Sequence, residues 1–122
     1  MVQVFDMPAS LEFYRGILGF EVVRGSGQGD NSGWVILRLN DVYMMLNTQF
    51  DDHDRPSEPD PDRTFAHNDT VLYFSAPSPD AVYKYLREKG MDTDPPKNAP
   101  YGMRQLYLHD PDGYNLCFQS PV

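Results

Sequence analysis

The chain has 122 residues, with 18 Asp and Glu against 10 Lys and Arg, a formal charge of −8 at pH 7, and 13% aromatic residues. That charge excludes a nucleic-acid partner, whose phosphates need a basic surface, and no apolar run reaches membrane-span length. The length allows one domain, or two half-modules sharing a core.

A single cysteine, Cys117, excludes an intramolecular disulfide, and no signal-peptide pattern opens the sequence. Both point to a reducing cytoplasm. The first segment, VQVFDMPASLEFYRGILGFEVV, predicts a strand, a helix and a second strand. Pro8 suits the first helical turn, Ser10 is a candidate cap, and Gly19 stops the helix. Leu11, Tyr14, Ile17 and Leu18 form its apolar stripe, and Glu12 and Arg15 a solvated pair.

WVILRLNDVYMMLN predicts a hairpin turning at Asn40-Asp41. Its pairs are Leu39 with Val42, Arg38 with Tyr43, Ile36 with Met45, and Trp34 with Asn47. One face, Val35, Leu37, Leu39, Val42, Met44 and Leu46, is apolar and should lie under a helix. The other carries Trp34, Ile36, Arg38, Tyr43, Met45 and Asn47. Residues 49–68, rich in Pro, Asp and Arg without a period, read as a loop: either a partly ordered cover over a pocket mouth or a plain linker. His53 and His67 read there as solvated side chains.

TVLYFSAPSPDAVYKYLREKGMDT repeats the first segment's grammar, with Pro79 in the first turn, Ser78 as cap, Gly90 as stop and Val82, Tyr85 and Leu86 as stripe. In its strand, Leu72 and Phe74 point back and Val71, Tyr73 and Ser75 forward. A last hairpin turns at Asp110-Pro111-Asp112-Gly113, pairing His109 with Asn115, Tyr107 with Cys117, and Gln105 with Gln119. Leu106, Leu108, Leu116 and Phe118 make its apolar face; Gln105, Tyr107, His109, Asn115, Cys117 and Gln119 make the other. The fold class is α+β: a single domain of two βαβββ modules, about 1–48 and about 69–122, whose sheets curl into a cup.

The forward faces hold the candidate site. Trp34 is a stacking plate for a planar ligand; Tyr43, Tyr73 and Tyr107 add rings and hydroxyls; Asn47 and Gln119 add amides and Met45 a thioether. Arg38 must be paired, gripping an anionic ligand or meeting an acid from the loop or a second chain. His109 can bond a ligand or move a proton. Cys117 reads as a small buried thiol.

The stretch MPASLEFYRGILGFEVV and the ending YGMRQLYLHDPDGYNLCFQ resemble the first helix signature and last hairpin of the vicinal oxygen chelate superfamily. That superfamily contains glyoxalase I, extradiol dioxygenases, fosfomycin-modifying enzymes and bleomycin resistance proteins. The resemblance implies paired βαβββ modules forming a cup, commonly in homodimers. It also implies metal ligands, His, Gln or Glu, on the first and last strands of each module in catalytic members. Carried onto this chain, the first falls before residue 1, with Gln3 and Phe5 the nearest cup-facing residues; the others fall at Met45, Val71 and Cys117. Divalent ions want carboxylate or imidazole, so no metal or other cofactor is expected. The resemblance therefore favours the antibiotic-resistance branch: a non-catalytic protein sequestering a small molecule. The alternative is a lyase, isomerase or dioxygenase using His109 and Tyr107 as acid and base, with or without a divalent metal.

Overall fold

A computed structural model of the protein describes every residue except Gln28 and Asp52. The chain divides into two compact units, Met1–Pro61 and Asp62–Val122, each containing a strand, a helix and three further strands in that order.

In the first unit, β1 (Val2–Gln3) leads into α1 (Met7–Leu11). Asp6, not Ser10, caps this helix: it is extended, and its Oδ1 accepts the Ala9 amide at 3.0 Å. Ser10 already lies inside α1 and is buried. The chain then widens into a π-helical stretch, Glu12–Ile17, closed by Leu18 N–H donating to the Phe13 carbonyl at 3.0 Å. The extra residue in that turn rotates the apolar stripe. Phe13 joins Leu11, Tyr14 and Leu18 in the core, and Ile17 is left half-buried. Arg15 does not pair with Glu12; it forks onto Asp30 at 3.0 and 2.8 Å.

The sheet runs β1-β4-β3-β2, with β2 (Glu21–Gly25), β3 (Trp34–Leu39) and β4 (Val42–Asn47); β1 is parallel to β4 and the rest is antiparallel. The β3–β4 register is the expected one, Trp34 opposite Asn47 through Leu39 opposite Val42. Asn40 supplies the positive φ of 53°. Val35, Leu37 and Leu46 are buried on the back face, whereas Val42, beside the turn, is exposed.

The second unit corrects the reading of 49–68 as loop: α2 (Pro61–Ala66) and a 3₁₀ turn, His67–Asp69, stand at its end. Pro61 and Asp62 favour a helix start, but six residues are too short to show a period. Tertiary contact holds them, as the His67 ring stacks on Tyr114 at 4.0 Å. His67 Nδ1 lies 2.7 Å from the Asp112 carbonyl and Nε2 3.2 Å from the Tyr114 hydroxyl, so His67 is tied down rather than solvated. His53 is exposed.

The second sheet runs β5-β8-β7-β6, with β5 (Val71–Ser75), β6 (Lys97–Asn98), β7 (Met103–His109) and β8 (Asn115–Pro121), β5 lying parallel to β8. Before β6, α3 (Pro79–Glu88) is capped by Ser78 Oγ, which accepts the Ala81 amide at 3.1 Å, and it ends before Gly90 at φ 84°. It packs on β7 and β8. Leu86, Leu106 and Leu116 are fully buried there, each worth about 2 kcal/mol. Tyr85, expected on that stripe, is instead 38% exposed. The Asp110–Gly113 turn is held by Asp110 Oδ1, which accepts the amides of Asp112 and Tyr114, both at 2.9 Å.

Candidate functional site

The second unit's forward face is centred on Cys117. Register places Tyr73 on one side of it and Tyr107 on the other. Helix α3 covers the opposite face, so the rings stay open, with Tyr73 54% and Tyr107 42% exposed, while the thiol between them is fully buried. The Tyr107 phenol is raised well above its ordinary value, first through hydrogen bonding with Tyr73, then by burial and by Cys117. Burial likewise raises the Cys117 thiol, and the Tyr107 hydroxyl offsets part of this. Both groups are neutral at pH 7 and are poor bases or nucleophiles.

One rung along, an amide ladder crosses the strands. Gln105 Nε2 donates to Gln119 Oε1 at 2.8 Å, and Gln105 Oε1 accepts the Tyr101 hydroxyl at 3.0 Å and the Tyr107 hydroxyl at 3.5 Å. Gln105 is buried, its orientation set by three partners. Sequence reasoning placed Gln105 on this face but did not select it; its place two residues before Tyr107 was the signal. Tyr101 reaches the ladder from the turn before β7. At the other end, His109, opposite Asn115 and one same-face position beyond Tyr107, is exposed and makes no hydrogen bond with the described residues.

In the first unit the register sets Trp34 opposite Asn47, Ile36 opposite Met45 and Arg38 opposite Tyr43. Asn47 Nδ2 donates to Gln3 Oε1 at 3.1 Å on the parallel neighbour β1. Arg38 pairs with Glu21, opposite it on edge strand β2, rather than with an acid of the 49–68 loop. The Tyr43 hydroxyl adds a contact at 3.4 Å. Its side chain is 43% exposed, so the pair is a solvated one. A cavity of about 270 Å³ also lies in this unit, lined by Leu11, Val22 and Val35, with Arg15 and Asp30, on the apolar side of the sheet.

The positions where the resemblance puts metal ligands hold a half-exposed thioether (Met45), an aliphatic side chain (Val71) and a buried neutral thiol (Cys117). This donor set does not fit a hard or borderline divalent ion. Among the described residues no three His, Cys, Asp or Glu side chains converge on one point.

The raised thiol has a direct readout. Iodoacetamide at pH 8 is expected to leave Cys117 of the folded protein unmodified and to alkylate it after unfolding. The pH dependence follows the same sign. The unfolded thiol ionises near its ordinary 9.0 and the folded one only above it. The stabilisation is therefore intact below pH 9 and is lost as pH climbs through the raised folded value, with Tyr107 adding the same trend higher up. Urea midpoints measured from pH 7 to 10.5 should fall beyond pH 9.

Two βαβββ repeats, each presenting an aromatic and amide-bearing sheet face, define a paired-module α+β protein. Residues 1–118 match the Glyoxalase/Bleomycin resistance protein/Dioxygenase superfamily, and the chain belongs to it. It is 30% identical over 110 residues to the uncharacterised protein YwkD of Bacillus subtilis (strain 168), across 88% of this chain and 82% of that one. Among solved structures it is similar to TnmS3, an antibiotic binding protein from Streptomyces sp. CB03234. The TM-score is 0.71 at 26% identity, over 99% of this chain and 91% of that one. It shares its fold, at 19% identity and TM-score 0.70, with a bleomycin-binding protein from Streptomyces verticillus complexed with copper(II)-bleomycin, over 100% of this chain and 95% of that one. No helix among the described residues is long and apolar enough to cross a membrane.

Proposed function

We propose that this protein is a metal-independent binding protein that sequesters a small organic molecule, working as a single domain built from both modules. The observation that carries the reading is the Tyr73–Cys117–Tyr107 row. A buried neutral thiol flanked by two open rings stands at the position to which the family resemblance assigns a carboxylate in catalytic members. Trp34, Tyr43 and Met45 repeat that character on the first unit's face, with Asn47 and Gln119 setting orientation. TnmS3 supports the reading, since it is described as antibiotic binding and resembles this chain over 99% of its length. Resistance to a toxic ligand would follow by mass action, because bound drug is unavailable drug.

The enzymatic alternative, with His109 and Tyr107 as acid and base, is disfavoured by the solvated position of His109 and by the raised Tyr107 phenol. We infer a homodimer as well, because edge strand β2 leaves Val22 and Val23 exposed; sedimentation should give twice the 14.0 kDa chain mass. Titration of aromatic antibiotics and metabolites in EDTA, followed by Trp34 fluorescence, tests the binding role. Saturable quenching supports it, and turnover of a bound compound with loss of quenching would replace it with the enzymatic reading.

A further inference from the structure

Resting on that reading, the arrangement around Cys117 also constrains what is bound. We propose that the second unit's face selects an uncharged planar arene bearing a carbonyl-type oxygen, stacked on the exposed rings of Tyr73 and Tyr107 that close over Cys117, with its oxygen accepting from the Gln119 amide.

Three observations converge on this class. The centre of the face is made of rings and a thiol, which favour flat apolar surface. Among the described residues, no formally charged side chain shares the Tyr73–Cys117–Tyr107 rung. Burial and mutual hydrogen bonding keep Cys117 and Tyr107 protonated. Arg104, forked onto Asp80 at 2.7 Å for both bonds, stands on alternate side-chain positions from Gln105 and Tyr107. Lys97 lies opposite Gln105 on the edge strand but is exposed, as is His109. An exposed amine returns little of what a charged ligand loses on leaving water.

The third observation is the ladder itself. Gln119 Oε1 is engaged by Gln105, whose own carbonyl holds two tyrosine hydroxyls. This fixes which end of Gln119 faces outward. Its NH₂ group, with no partner among the described residues, is the donor left for a ligand. Gln105 acts here as a positioning residue.

Four probes on one ring system test the inference: naphthalene-2-carboxamide, naphthalene-2-carboxylate, 2-naphthylmethylammonium and 2-methylnaphthalene, each titrated into the full chain by ¹H–¹⁵N NMR. The carboxamide is expected to bind about tenfold or more tighter than either ion and to shift the Gln119 side-chain NH₂ signals. Gln119→Leu should weaken the carboxamide about fivefold, and by more than it weakens 2-methylnaphthalene, a comparison that separates a lost hydrogen bond from general misfolding. Carboxylate or ammonium binding as tightly as the carboxamide would overturn the inference while leaving the binding role intact. So would a carboxamide affinity indifferent to Gln119→Leu. Failure of all four probes to move any signal from the Tyr73–Cys117–Tyr107 row would overturn both.

Discussion

Gly113→Ala is expected to destabilise the protein by about 3 kcal/mol. Gly113 sits at φ 85°, where an L side chain is strained, and an added Cβ would stand 2.9 Å from the Thr64 carbonyl oxygen. That atom is backbone, in α2, so no rotamer change relieves the clash; either α2 lifts off the turn or the turn opens. Gly90→Ala is the matched control. It has nearly the same φ, 84°, but no atom within 4 Å of the added carbon, so only the conformational cost remains, about 1 kcal/mol. Urea denaturation of the two variants measures the difference. Equal losses would mean that α2 does not rest on the Asp110–Gly113 turn.

Cys117→Glu is expected to cost at least about 3 kcal/mol and to create no metal site. It restores the residue type that the family resemblance places in catalytic members, and so asks whether that one residue is what separates this chain from them. Cys117 is fully buried between Tyr73 and Tyr107. A longer carboxylate there must displace a ring or lose its hydration, with no cation beside it. The other inferred positions remain Met45 and Val71, which offer no oxygen or imidazole nitrogen. Thermal melts with and without added Ni²⁺, Zn²⁺ or Mn²⁺ should show the same lowered Tm. A metal-dependent rescue would mean that further ligands lie close by.

Much of the fold is legible in the sequence because β-pairing is set by short-range chemistry. Asn40 and the Asp110–Gly113 turn fix both hairpin registers, and period-two alternation then assigns each side chain to a face. The failures share a cause. The cap at Asp6, the π-turn that buries Phe13, and α2 with His67 all depend on contacts or local geometry that a periodic pattern does not encode. The candidate site divides in the same way. Tyr73, Tyr107, Cys117 and Gln119 follow from alternation, but the partner of Arg38 depended on the register of edge strand β2, and the ladder through Gln105 needed Tyr101 from a loop.

The central claim is that the aromatic sheet faces bind an organic molecule without help from a divalent ion. The most direct measurement is naphthalene-2-carboxamide affinity on protein purified without chelator, taken before and after EDTA dialysis, with metal content determined on the same sample. The expected result is an unchanged Kd, with Zn, Ni, Mn and Fe together well below one equivalent per chain. Near-stoichiometric metal whose removal abolishes binding would contradict it.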